Sequence, residues 1–160
     1  VHRLDMDTSG VIIFARTRSA QINLSKQFEK RLVKKTYIAR VYGNPKEARG
    51  TVNSPIIVDW PNRPCQKICH ETGREAITTW KVIDNSRKND ALIILKPITG
   101  RSHQLRLHMK SIGHPILGDS LYAHSSALKA SKRLSLHALS ILINHPSNGS
   151  KIIFKTPCPF

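Results

Sequence analysis

Val1-His2-Arg3-Leu4-Asp5-Met6-Asp7-Thr8-Ser9-Gly10 decides how the rest of the chain is read. It places one carboxylate, Asp5, between a buried-type strand and a turn, two residues after an arginine. The Asp-x-Asp-x-Ser-Gly run also resembles the opening of a calcium loop. The twelfth position of such a loop needs a bidentate Glu and here holds Arg16, so calcium is excluded. Asp5 keeps two readings from pattern alone. One is an Asx-turn acceptor that satisfies nearby amides; the other is a reactive acid in a basic surface.

The surroundings are strongly basic. The 160 residues carry 26 Lys and Arg against 10 Asp and Glu, a net charge of +16. Such a surface attracts phosphate-rich partners, and a nucleic acid fits best. With 39% hydrophobic and 22% charged residues, the chain is a globular domain rather than a disordered tail. No apolar run reaches the roughly 20 residues a membrane-spanning helix needs, and no membrane partner is expected. Cys65, Cys69 and Cys158 make an odd set without a secretory signal, so free thiols in a reducing cytoplasm are expected. Cys65-x-x-x-Cys69-His70 lacks a second ligand pair at zinc spacing, and His103, His108, His114 and His137 form no metal set; these histidines read as structural. The chain opens on its motif with Val1 rather than Met, and is expected to be a fragment lacking an N-terminal segment.

Gly10 to Arg16 reads as a buried strand, and Thr17 or Ser19 caps a helix to about Lys30 with Ala20, Leu24 and Phe28 as its apolar stripe. Lys35 to Gly43 alternates as a strand with Tyr37, Ala39 and Val41 on one face. Gly50 to Gly73 is proline-rich and is expected to be an irregular loop. Ala76 to Ile83, Ala91 to Leu95, Leu134 to Asn144 and Lys151 to Lys155 are expected strands, the last two joined by a hairpin at Asn148-Gly149. Ser102 to Ile112 is expected to be a helix ended by Gly113, with Leu105, Met109 and Ile112 facing inward. The class is α+β, a mixed, mainly antiparallel sheet flanked by helices and loops, in one domain over residues 1–160.

Two further groups could carry chemistry. In Gly100-Arg101-Ser102-His103-Gln104-Leu105-Arg106, helical spacing puts His103, Arg106 and Lys110 on one polar face. That face is either a solvated phosphate-contacting surface, or one arginine turns inward to pair with Asp5 and keep it ionised. Tyr37 is either a core residue with its hydroxyl at the edge, or a ring on which a base stacks.

Together these stretches resemble the RluA family of pseudouridine synthases. The resemblance rests on His-Arg-Leu-Asp-x-x-Thr-Ser-Gly at His2–Gly10 and Lys-x-Tyr-x-Ala-x-Val-x-Gly at Lys35–Gly43. It continues through Gly-Arg-Ser-His-Gln-Leu-Arg at Gly100–Arg106 and Gly-His-Pro-Ile-Leu-Gly-Asp at Gly113–Asp119 with Tyr122. Asp59–Pro64 and Cys69–Gly73 look like the RluA branch itself. The resemblance implies the pseudouridine synthase fold and isomerisation of uridine in structured RNA, both 23S ribosomal RNA and the transfer RNA anticodon stem-loop. It implies no cofactor, no metal, a monomer and a cytoplasmic location. It makes Asp5 the catalytic acid, Arg106 its partner, Tyr37 the ring against the uracil with a part in removing the C5 proton, and Arg3 the side chain entering the RNA stack. The family's Lys-Pro-x-Gly segment would precede Val1. The rival reading is a catalytically silent RNA-binding module on the same basic surface.

Overall fold

Alternation builds the sheet. In the computed structural model, which describes residues 1–160, β1 is Ser9–Gly10, β2 Lys34–Tyr42, β3 Arg49–Asn53, β4 Ile56–Val58, β5 Gln66–Ile68, β6 Ile77–Asp84, β7 Asp90–Pro97, β8 Leu136–Asn144 and β9 Lys151–Lys155. The helices are α1 Arg18–Glu29, α2 Gln104–Ser111 and α3 Ser125–Lys129. Seven strands form one sheet in the order β1-β8-β2-β7-β6-β3, with β9 also on β8. Every pairing is antiparallel except the short parallel β1–β8 contact. The expected α+β class and mixed, mainly antiparallel sheet are therefore what the chain adopts.

Ala39 and Val41 of β2, Ala91, Ile93 and Leu95 of β7, and Leu105 and Met109 of α2 make the main core. The period of two in the strands meets the helical period of α2 there. A second cluster joins Leu24 of α1 to Val33 and to Ile141 and Ile143 of β8. α1 begins at Thr17, whose hydroxyl accepts from the Ala20 amide at 3.2 Å. It is moored at the other end by Gln27, whose side-chain amide donates to the Asn144 carbonyl at 2.7 Å and accepts from the Asn144 N–H at 2.9 Å.

A bulge serves both clusters. Tyr37 faces Ala138 and Thr36 faces Ser140, so Leu139 is an extra residue in β8. Strict alternation would send Ala138 and Ile141 to opposite faces; with the extra residue both are buried, at 5% and 3% exposure. Gly10 lets β1 approach β8: a Cβ there would lie 2.3 Å from the Ala138 carbonyl oxygen.

Two expected elements differ. Gly10 to Arg16 is a strand only at Ser9–Gly10. Beyond Val11, whose amide bonds the Ala138 carbonyl, the segment leaves the sheet and lays Val11, Ile13 and Ala15 against the α1 cluster. Its apolar residues are buried by packing into a cluster of α1 and β8 side chains rather than by pairing in the sheet. Gly50 to Gly73 is not irregular throughout: it holds β3 and a β4–β5 hairpin closed by a 3₁₀ turn at Trp60–Asn62. Pro61 and Pro64 sit in the connection, where no ladder amide is needed.

Candidate active site

The two helix-backed clusters leave a cleft of about 480 Å³ between them, a size that holds a nucleoside-sized ligand. Its walls come from the N-terminal segment, the end of α1, the start of β2, the loop after β7 and the first turn of α2. Asp5, Arg3, Lys35 and Tyr37 all line it.

The Asp5 segment is held by three contacts. The Thr8 amide donates to the Asp5 carbonyl at 3.0 Å, which closes a turn. His2 stacks on Phe28 of α1, with ring centroids 4.9 Å apart. Its Nε2 accepts from the Ile13 amide at 2.9 Å, so His2 is neutral with its proton on Nδ1. Burial, then the N-terminal charge and Lys35, hold its pKa below the usual histidine value. Downstream, Ser9 Oγ accepts from Arg133 at 2.7 Å and shares a hydrogen bond with His137 Nδ1 at 2.8 Å, which ties β1 to β8.

Held this way, the Asp5 carboxylate is half-buried and takes part in no hydrogen bond or ion pair within the protein. It is therefore not the turn acceptor that composition alone would favour, and its lone pairs face the cleft unused. Tyr37 is close enough to feel it: burial, and then the charge of Asp5, push the phenol up to about 12. The ring therefore stands neutral at physiological pH, and its hydroxyl has no protein partner. The Thr8 hydroxyl is also buried against the cleft without a partner. Arg3 is exposed at the rim.

The expected ion pair between Asp5 and Arg106 is not formed. Arg106 is 3% exposed and its fork grips Asp119: Nε donates to Oδ2 at 2.8 Å, and Nη2 donates to Oδ1. Asp119 is fully buried and also accepts from the amides of Leu121 and Tyr122. It sits in a turn made possible by Gly118, whose φ is +71° and where a Cβ would meet the Arg133 carbonyl oxygen. The nearer carboxylate, fixed by backbone amides, takes the bidentate geometry, and Arg106 does not line the cleft. Burial lowers its pKa, but Asp119 and, more distantly, Asp5 outweigh that and leave it raised. Asp5 thus feels Arg106 through space rather than through a bond.

Between them lies His103, the residue before α2, in the left-handed region at φ 54°. The Tyr122 hydroxyl accepts from the Gln66 amide at 2.8 Å and shares a hydrogen bond with His103 Nδ1 at 2.8 Å. His103 is neutral, with its pKa lowered first by burial while Asp5 opposes the shift. Gln104 and His108 continue the frame. Thr99 Oγ1 donates to Gln104 Oε1 at 2.7 Å, Gln104 Nε2 donates to Thr78 Oγ1 at 3.0 Å, and Thr78 donates to His108 Nδ1 at 2.9 Å. Of the histidines read as structural, His103 and His108 belong to this frame and His137 ties β1 to β8, whereas His114 bonds the Tyr42 carbonyl away from the cleft; Arg106 is internal rather than on a solvated face. No group of three or more His, Cys, Asp or Glu is placed to hold a metal ion, and all three cysteines are free.

Comparison with known proteins identifies the family. The family model described as RNA pseudouridylate synthase matches residues 1–111. The chain belongs to that family, and is an enzyme that converts uridine to pseudouridine in RNA. It is 54% identical over 160 residues to the dual-specificity RNA pseudouridine synthase RluA of Salmonella typhi, covering 100% of this chain and 73% of that relative. The protein of the same name from Vibrio cholerae is 49% identical, covering 100% of this chain and 65% of that one. Among solved structures, human RNA pseudouridylate synthase domain containing 1 superposes with a TM-score of 0.86 at 30% identity, covering 99% of this chain and 68% of the other.

Proposed function

We propose that this chain acts on uridines in 23S ribosomal RNA and in the transfer RNA anticodon stem-loop, as a cytoplasmic monomer whose residues 1–160 form one catalytic domain. The observation that supports it is the unpartnered Asp5 carboxylate in a nucleoside-sized cleft opposite Tyr37. The +16 charge supplies the backbone grip, which weakens with salt. The target base must leave its stack at a cost of a few kcal/mol. Arg3, at the rim, fills the gap left in the RNA.

Isomerisation then conserves every atom, so it needs no co-reactant. The bond between C1′ and N1 breaks and its electron pair stays on the ring. Asp5 relieves the sugar, either by adding to C1′ or by taking the neighbouring C2′ proton. The ring turns against Tyr37, and C5 bonds to C1′ as the Asp5 carboxylate leaves that carbon or returns the C2′ proton. The C5 proton leaves and N1 gains one. Arg106, held by Asp119, keeps positive charge behind Asp5, and Tyr37 confines the free ring.

The test is Asp5→Asn in the full-length protein on an anticodon stem-loop. Pseudouridine formation falls to background while RNA binding stays within about threefold of wild type. Continued turnover in that variant would remove Asp5 from the chemistry. A wild-type protein that binds the RNA without converting it would instead favour the silent binding module.

A further inference from the structure

Lys35 is a cation that the fold holds partly buried in the cleft without an ion pair. It stands two residues before Tyr37 on β2, so both side chains leave the same face about 7 Å apart. Its ammonium donates only to the Thr99 carbonyl, at 3.3 Å, and forms no ion pair. Gly100 leaves it room: a Cβ there would come within 3.3 Å of Nζ. Burial lowers its pKa, the direction expected for a cation partly withdrawn from water. A lysine has three donors and here uses one. The Thr8 hydroxyl, unpartnered in the same cleft, is a second unused polar group.

We propose that Lys35 is a catalytic residue that donates to the detached uracil ring and stabilises the negative charge it acquires. The inference rests on the uridine chemistry proposed above. When C1′–N1 breaks, the bonding pair becomes ring charge spread over N1, O2 and O4. A preplaced cation in a half-enclosed cleft stabilises charge that develops only then, so its contribution falls on the chemical step rather than on binding. A phosphate contact is less favoured, because Lys35 lies beside Tyr37 within the cleft, whereas Arg3 and Arg31 stand exposed at its rim.

The experiment compares wild type, Lys35→Met and Lys35→Gln in the full-length protein, with folding checked by thermal melting. Single-turnover loss of the target nucleoside is followed by digestion and chromatography. The substrates are a stem-loop carrying uridine and the same RNA carrying 5-fluorouridine. Fluorine makes the departing ring more acidic and less dependent on an external cation. Removing one such donor costs on the order of 100-fold in rate. Both variants are therefore expected to lose about that factor on uridine at unchanged RNA affinity, and clearly less on 5-fluorouridine. Wild-type rates, equal losses on both substrates, or weakened RNA affinity with a reduced salt slope would each overturn the assignment. An inactive wild-type protein would instead overturn the functional reading beneath it.

Discussion

Replacing Asp119 by Asn tests the frame behind the acid. The substitution keeps the size of the side chain and an oxygen for the Leu121 and Tyr122 amides. It removes the negative charge that Arg106 grips at 3% and 0% side-chain exposure for the two partners. Breaking a buried pair by neutralising one member costs about 3–5 kcal/mol, and in a chain of this size that lowers Tm by roughly 6–20 °C. The assay is thermal unfolding by circular dichroism with single-turnover pseudouridine formation on the same samples. Arg106→Met relieves the orphaned charge, so the double variant should lose less than the sum of the singles, with a coupling of about 1–3 kcal/mol. A Tm drop below 3 °C, or additive losses within about 0.5 kcal/mol, would refute the reasoning.

Two further outcomes follow from the site. Tyr37→Phe keeps the ring and leaves no orphaned partner, so Tm stays within about 2 °C, the effect of a change near 0.5 kcal/mol. Release of the C5 proton then lags behind loss of uridine; identical time courses for both steps in variant and wild type would deny the hydroxyl a role. His2, His103, His108 and His137 all have folded pKa values below the ordinary 6.5. The unfolded chain therefore binds more protons as pH drops through 6.5, and stability, complete above that value, declines below it. Tm should fall between pH 7.5 and 5.5; a flat or rising profile would contradict neutral histidines in these positions.

What the sequence disclosed followed the strength of local signals. Thr17 caps α1 through a hydroxyl three residues from its amide, and Tyr37, Ala39 and Val41 alternate because one face of β2 is core. Asn148-Gly149 closes its hairpin with Gly149 at φ +73°. Val11 to Ala15 carried a strand signal, but that signal is burial, and a helix supplies it as well as a sheet. The chemistry split in the same way. Asp5 and Tyr37 share a cleft, yet Arg106 found a nearer partner than Asp5. Asp119 had been only the end of a glycine-rich tail, and its buried position depends on the Gly118 turn and two amides that no spacing reveals. Lys35 looked like the first residue of a strand, because a charge aimed inward differs from one aimed outward only once the sheet has a face.

The parallel tie between Ser9 and His137 bridges 128 residues. At roughly 5–20 residues per second, a ribosome needs about 6–26 s to deliver the second partner after the first. Until then Asp5 lies near a strand end that has no β8 to pair with, beside a cleft that lacks its Leu136 wall. The cleft that holds Asp5 is therefore completed late in synthesis, when β8 arrives.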